Sequence, residues 1–386
     1  MKLRGVGCAL LSGWLLVSGC SRPEAVPAPV ADETQREELN RLVAALSIVQ
    51  RHFVYSDSTA MTNLLQLALA GLTRQLDGSS QLVVGEDAGF EPDSIWLAMA
   101  EPGWVVGLRR GAVEVLAVDA GGSAEAAGVR VGDVVIRWRG TAATLSEMKR
   151  SGAAMAEARL RRRDQDVEYE IEVAVSQRGV EPGVTAEWIG DSIRLVRVRH
   201  AGPEWATEAV RRMTERLDRQ VTAWVFDVRS LASLDVEGAR RVAGVLVPKG
   251  NLLWLVGAKG EEGVLARVDS PGPGTRKEPV WVLIGPGTGG GGELLAAGLR
   301  AGGRANLAGT PTRGGAQVVR RTELEPGVAL FLTSGWYEEA EGRRIGGAGL
   351  VPDVTEPPQW GEAEVEEKDR LLDRVIELIQ SGELFS

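Results

Sequence analysis

Val280-Trp281-Val282-Leu283-Ile284, followed by Gly285-Pro286-Gly287-Thr288-Gly289-Gly290-Gly291-Gly292 and then Glu293-Leu294, decides the reading of this chain. Five consecutive apolar residues, bounded by a turn signal, predict a strand buried on both faces. The glycine loop then opens a helix predicted over Glu293 to Leu299. The same rhythm occurs upstream. Ile193 to Val198 reads as a strand, Glu204 to Leu217 as an amphipathic helix, and Val221 to Arg229 as a buried strand with a charged exit. Strands alternating with helices imply a sheet with crossover helices. Farther on, Glu362 to Ile379 reads as a charged helix with Leu371, Leu372, Val375, Ile376 and Ile379 on one side.

Before this α/β region lie two further patterns. Leu39, Leu42, Val43, Leu46, Val49 and Phe53 recur at helical spacing, as do Met61, Leu64, Leu65, Ala68, Leu69 and Leu72. The second helix is expected to stop at Leu76-Asp77-Gly78-Ser79-Ser80. Residues 100–175 resemble a PDZ domain. The resemblance rests on Ala124-Glu125-Ala126-Ala127-Gly128-Val129-Arg130-Val131-Gly132-Asp133-Val134-Val135-Ile136, a short helix, a glycine turn and a buried strand. The glycines allow positive φ, and Asp133 is placed to accept from neighbouring amides. By the same resemblance, Gly103-Trp104-Val105-Val106 stands where a PDZ domain binds a peptide carboxylate and adds the peptide to a strand edge. Val105 replaces the usual second glycine of that loop.

Length and composition set limits. The chain has 386 residues, enough for two or three domains, and a formal charge of −9. The densest basic stretch, Arg161-Arg162-Arg163, is followed at once by Asp164, Asp166 and Glu168, as on a solvated strand edge. Nucleic acid is therefore not read as a partner. Two histidines, His52 and His200, and two cysteines, Cys8 and Cys20, exclude a His/Cys zinc cluster. No metal or cofactor is read from the sequence. The glycine loop lacks the lysine of a phosphate-binding Gly-x-x-x-x-Gly-Lys-Ser/Thr motif.

The N-terminus reads as an address. Lys2 and Arg4 precede a short apolar stretch that ends in Leu16-Val17-Ser18-Gly19-Cys20. This resembles the lipobox of bacterial lipoproteins, which implies cleavage before Cys20 and lipidation of its thiol. The Pro/Ala-rich stretch after it reads as a tether. The implied location is the cell envelope, with Ser21 compatible with the outer membrane facing the periplasm.

From residue 36 to about 355, and most specifically from Val280 to Asp353, the chain resembles the C-terminal processing (tail-specific) serine peptidases. The residues that carry this are the buried strand, the glycine loop in place of a serine loop, and Gly303-Arg304-Ala305. Leu307-Ala308-Gly309, Thr312-Arg313-Gly314-Gly315 and the closing run Gly346-Gly347-Ala348-Gly349-Leu350-Val351-Pro352-Asp353 complete the match. The resemblance implies an α+β multidomain fold of N-terminal helices, a PDZ domain and an α/β peptidase core of crotonase-like ββα units. The divisions read are 1–19 signal, 20–35 tether, 36–90 helical region, 91–180 PDZ domain, 181–358 core and 359–386 C-terminal helix. In the family a serine attacks, a lysine serves as its base and a glutamine orients the lysine. Those positions are Gly290, Gly315 and Val319 here. The oxyanion glycines are replaced by Ser233-Leu234. A hydroxyl without an adjacent base is inert, so Thr288 reads as a loop-capping residue. Gln317 reads as a slipped glutamine with no lysine to orient.

The expected function is a non-catalytic envelope lipoprotein that binds peptides or protein C-termini. Two other readings stay open: an active serine endopeptidase with a rearranged site, and a structural protein that forms a homo-oligomer through its terminal helices.

Overall fold

A computed structural model describes residues 33–52, 60–99, 102–119, 121–150, 155–175, 183–199, 204–257, 264–339, 341–355 and 369–382. Cys8, Cys20 and His200 lie outside the described residues. Two helices come first, α1 (Glu33–His52) and α2 (Met61–Leu76), then a short strand β1 (Gln81–Val84). A mainly antiparallel unit follows: β2 (Trp96–Met99), β3 (Trp104–Arg109), β4 (Ala112–Val118), α3 (Ser123–Ala126), β5 (Val134–Trp138), β6 (Thr141–Ala142), α4 (Leu145–Lys149), β7 (Met155–Arg162) and β8 (Val167–Ala174). The α/β core begins with β9 (Val184–Ile189), β10 (Ile193–Val198), α5 (Trp205–Thr214), β11 (Ala223–Asp227), β12 (Ala232–Ser233) and α6 (Val236–Leu246). It continues through β13 (Pro248–Gly257), β14 (Val264–Pro273), β15 (Val280–Ile284), β16 (Gly289–Gly290), α7 (Gly291–Ala301) and β17 (Ala305–Gly309). Last come β18 (Gln317–Glu325), β19 (Val328–Glu338), β20 (Val354–Thr355) and α8 (Arg370–Ser381). The fold is α+β.

The central sheet runs β20-β17-β15-β11-β10-β9, parallel except where β9 meets β10. Its middle strands are apolar on both faces because both faces are covered. Trp224 and Phe226, with Val280, Val282 and Ile284, pack with α5, α6 and α7. Val225, Trp281 and Leu283 point the other way and meet Leu372, Val375 and Leu378 of α8. A second sheet, β1-β19-β13-β14 with β18 beside β19, adds a wall beside the core. The antiparallel unit orders its strands β2-β3-β4-β5-β7-β8, with β6 on β5.

Several expected boundaries move. α1 begins at Glu33, inside the stretch read as tether. The helical region read over 36–90 also holds β1, which pairs with β19 of the core. α5 ends at Thr214 rather than Leu217: its buried stripe is Trp205, Ala206, Ala209 and Met213, and Leu217 packs against the core from beyond the helix. α8 starts at Arg370; residues 356–368 lie outside the described residues. Gly128 and Gly132 do take positive φ, and Asp133 accepts from Arg130 N at 2.8 Å.

The charged exit of β11 anchors α8. Asp227 is buried and accepts two bonds from Arg229, 2.9 Å from Nε and 2.7 Å from Nη2, and one of 3.1 Å from Arg197 Nε. Arg229 also donates to Asp369, the N-cap of α8. Burial alone raises the Asp227 pKa, but Arg229 and Arg197 outweigh it and hold the carboxyl below its ordinary 3.8. A depressed pKa adds stability that is present above about pH 4 and is lost as pH falls through the folded value. Urea titrations are expected to show the wild type losing stability below about pH 4. Arg229→Met is expected to lose about 2 kcal/mol at pH 7 and to have a shallower acid dependence. That figure lies below the cost of breaking a fully buried pair, because Arg197 remains and Arg229 is partly exposed.

Candidate functional site

The glycine loop lies directly beneath residues 229–235. β16 pairs in parallel with β12, Ala232 opposite Gly289 and Ser233 opposite Gly290. Gly289 N donates to Leu231 O at 3.0 Å. Gly290 adopts φ 54° and ψ −112°, the strained strand-to-helix turn on which a nucleophile elbow presents its side chain. A Cβ at 290 would lie 2.1 Å from the Ser233 carbonyl oxygen and 3.2 Å from Trp96 Cη2. A Cβ at 287 would meet Arg229 O at 2.4 Å, and one at 292 would meet Leu231 O at 2.3 Å. Glycine is thus the residue that lets the 229–235 segment settle onto the loop.

Gly290 and Gly315 are neighbours: a Cβ at 315 would lie 3.4 Å from Gly290 N. Trp96 covers both, its Cη2 3.1 Å from the same Cβ position at 315. Gly290, Gly315 and Val319 line a single cavity of about 130 Å³, together with Ser79, Trp96, Arg109, Gln317 and Tyr337. The three positions singled out in the sequence are therefore brought together. A larger open groove of about 1170 Å³ adjoins this cavity and shares Asp93, Trp96, Leu234, Val236 and Tyr337 with it.

Glu293 holds the two loops in register. It is fully buried; Oε2 accepts from Gly290 N at 3.1 Å, and Oε1 accepts from Gly314 N at 2.6 Å and Thr312 Oγ1 at 2.5 Å. Burial pushes its pKa up, against the lowering influence of Thr312 and Gly314. Thr288 is equally buried and accepts from Gly285 N while donating to Val228 O, a capping arrangement that leaves it no role as an attacking group. Gln317 accepts from Ser79 Oγ at 2.5 Å.

The chemical repertoire of the cavity is narrow. Among the described residues that line it there is no lysine or histidine. Tyr337 is pushed up to about 12 by burial and then by Asp93, so it keeps its proton. Burial lowers the Arg109 pKa; Arg313, under the same loop, is pushed down to about 10 by burial and then by Arg109, and both stay cationic at neutral pH. Ser79 has an acceptor but no base.

Gly103 to Val106, read as a carboxylate-binding loop, has another form. Trp104, Val105 and Val106 are buried strand residues of β3. β4 pairs along one edge and β2 along the other, Met99 opposite Trp104 and Leu97 opposite Val106. Gly103 N donates to Met99 O at 3.0 Å. The amides and edge that a peptide would use are taken by the chain's own β2. Sequence reasoning also missed Trp96, which stands in a short apolar run with no motif around it. Arg109 and Ser79 come from separate segments that only the tertiary fold brings to the cavity.

The model of peptidase family S41 matches residues 192–356. A chloroplastic C-terminal processing peptidase of Tetradesmus obliquus is 26% identical over 288 residues, covering 67% of this chain and 60% of that protein. Chloroplastic carboxyl-terminal-processing peptidase 2 of Arabidopsis thaliana is 29% identical over 160 residues, 41% of this chain and 31% of that protein. A carboxy-terminal-processing protease of Bartonella bacilliformis is 24% identical over 310 residues, 75% and 69% respectively. The chain thus spans less than two thirds of the Arabidopsis and Tetradesmus proteins. Among solved structures, a photosystem II D1 C-terminal processing protease has a TM-score of 0.60 at 22% identity, covering 81% of this chain and 86% of that one, a likeness of fold.

Glu293→Gln places an amide donor opposite Gly290 N–H or removes an acceptor from Gly314. A loss of about 1–3 kcal/mol in urea unfolding is expected. Gly290→Ala meets the Ser233 carbonyl at a positive φ, and a larger loss than for Glu293→Gln is expected in the same assay.

Proposed function

We propose, from the premise that residues 192–356 belong to peptidase family S41 of the tail-specific proteases, that this protein is a non-catalytic member that binds peptide segments in the groove over its vacated catalytic positions. The observation that carries the reading is the stacking at Gly290: the Ser233 carbonyl on one side, Gly315 on another and the Trp96 indole above. Serine chemistry needs a nucleophile, a base within hydrogen-bond reach and amides aimed at the oxyanion. Gly290 and Gly315 supply neither of the first two. The segment in the oxyanion position is engaged in the β12–β16 ladder.

What remains is a groove with apolar walls at Val105, Leu234 and Val236 and charged rims at Arg240, Arg241, Arg267, Glu237 and Asp269. Such a surface suits an extended segment that places apolar side chains inside and its backbone against polar rims. We place the peptide there rather than at Gly103–Val106, because β2 occupies that strand edge. The antiparallel unit is read as a PDZ-like module that closes the groove. Export and attachment to the envelope through lipidated Cys20 complete the proposal.

The purified chain is expected to show no turnover of unstructured, apolar-tailed peptides. Gly290→Ser with Gly315→Lys is expected to stay inactive, because the Ser233 carbonyl and Trp96 fill the space the new side chains need. Robust hydrolysis by either protein would overturn the non-catalytic reading. Binding is tested separately: the wild type should enrich peptides from a random library, and Leu234→Glu should weaken the enriched peptides at least tenfold in fluorescence anisotropy. A wild type that enriches nothing would overturn the binding half.

A further inference from the structure

The rims of the groove carry charges of both signs, and most of them neutralise one another. Glu237 accepts from Arg240 through both oxygens, at 2.8 and 3.0 Å. Asp269 stands 3.3 Å from Arg267. Asp235 caps α6, accepting from Gly238 N and Trp205 Nε1. At the cavity end, Asp93 and Arg109 are of opposite sign. Arg241 alone is left over. Glu237 lies four residues before it, a favourable spacing for a helical pair, but is held by Arg240. Glu208 on α5 is held by Arg211 and Arg212. The Arg241 guanidinium therefore donates only to the Thr207 hydroxyl, at 3.3 Å, and no carboxylate of the described residues lies within ion-pair distance of it.

Arg241 also stands where the groove continues. A second, shallower depression of about 350 Å³ shares Arg241 with the groove and is lined by α5, α6 and β14. Its apolar surface is Val210 of α5, Val245 of α6, and Pro271 and Pro273 of β14. A Cβ at 272 would lie 1.7 Å from Gly244 O, so α6 and β14 meet backbone to backbone there with no side chain between them. The two depressions advance along the same elements in step. The groove uses Glu237 to Arg241 with Arg267 to Asp269, and the trough uses Arg241 to Val245 with Pro271 to Pro273. From Glu237 to Val245 α6 rises about 12 Å, the reach of about four extended residues.

We propose that this trough holds the continuation of the peptide bound in the groove, with an acidic side chain on Arg241 and an apolar or proline-containing run beyond it. The inference rests on the peptide-binding reading above and adds to it a charge preference and a direction of exit. A narrow path that runs on from the groove suits a single extended segment. Arg241, the cation without a carboxylate, sets the sign of the side chain it meets, because charge complementarity governs the choice of partner more than its affinity.

The test is selection from a random decapeptide library on the full chain, followed by fluorescence anisotropy of the enriched peptides. The wild type is expected to enrich peptides with aspartate or glutamate at one fixed position and apolar residues to one side of it. Arg241→Glu is expected to enrich lysine or arginine at that position, and Arg241→Lys to keep the acidic preference. Changing the acidic residue of an enriched peptide to its amide should weaken binding to the wild type about threefold to fivefold, the range of an exposed ion pair, and leave binding to Arg241→Gln unchanged. A further readout needs no variant: trimming the apolar run of the peptide should weaken binding at least tenfold. Enriched peptides without a fixed acidic position, a weakening that persists in Arg241→Gln, or indifference to trimming would each overturn this proposal while leaving peptide binding in the groove intact. A wild type that enriches nothing would overturn both.

Discussion

The site depends on one buried carboxylate. Glu293 joins the start of α7 to the loop before β18, taking Gly290 N–H on one oxygen and Gly314 N–H with the Thr312 hydroxyl on the other. Thr312 in turn accepts from Leu350 N at 2.8 Å, which ties in the closing run before β20. Three segments distant in sequence meet at one acidic group. Burial raises its pKa, and only a full set of donors makes a carboxylate tolerable there. The position of Gly315 beside Gly290 is a consequence of this clamp rather than of any contact between the two glycines.

Around the clamp, the antiparallel unit is seated on the α/β core. Arg313 Nη2 donates to Leu116 O at 2.7 Å, and Ser230 Oγ to Val118 O at 2.9 Å. Val105, Leu116 and Ala117 pack with Ala232 of β12, with Trp96 and Ala98 against them. The unit also shares a larger apolar cluster with β1 and β19, in which Val83, Ala329 and Phe331 join Trp104, Val106 and Leu108.

The glycines at 290 and 315 and the packing around them are mutually consistent. A serine at 290 would not merely add a hydroxyl; its Cβ would displace the Ser233 carbonyl and the β12–β16 pair with it. Glycine at 287, 290 and 292 is thus a structural requirement of this arrangement, in which residues 229–235 lie on the loop.

The sequence by itself determined the middle of the central sheet, since the apolar runs Ala223–Phe226 and Val280–Ile284 are satisfied only when both faces are covered. It also determined that Gly290, Gly315 and Val319 carry no nucleophile, base or amide, because residue identity alone settles that. Thr288 as a cap was legible from the lack of any base near it in the sequence. Tertiary structure alone decided that these three positions share a cavity, that Trp96 fills its roof and that β2 takes the edge of β3. Each of those rests on contacts between segments far apart in the chain, where local spacing carries no information about which side chain arrives opposite which backbone.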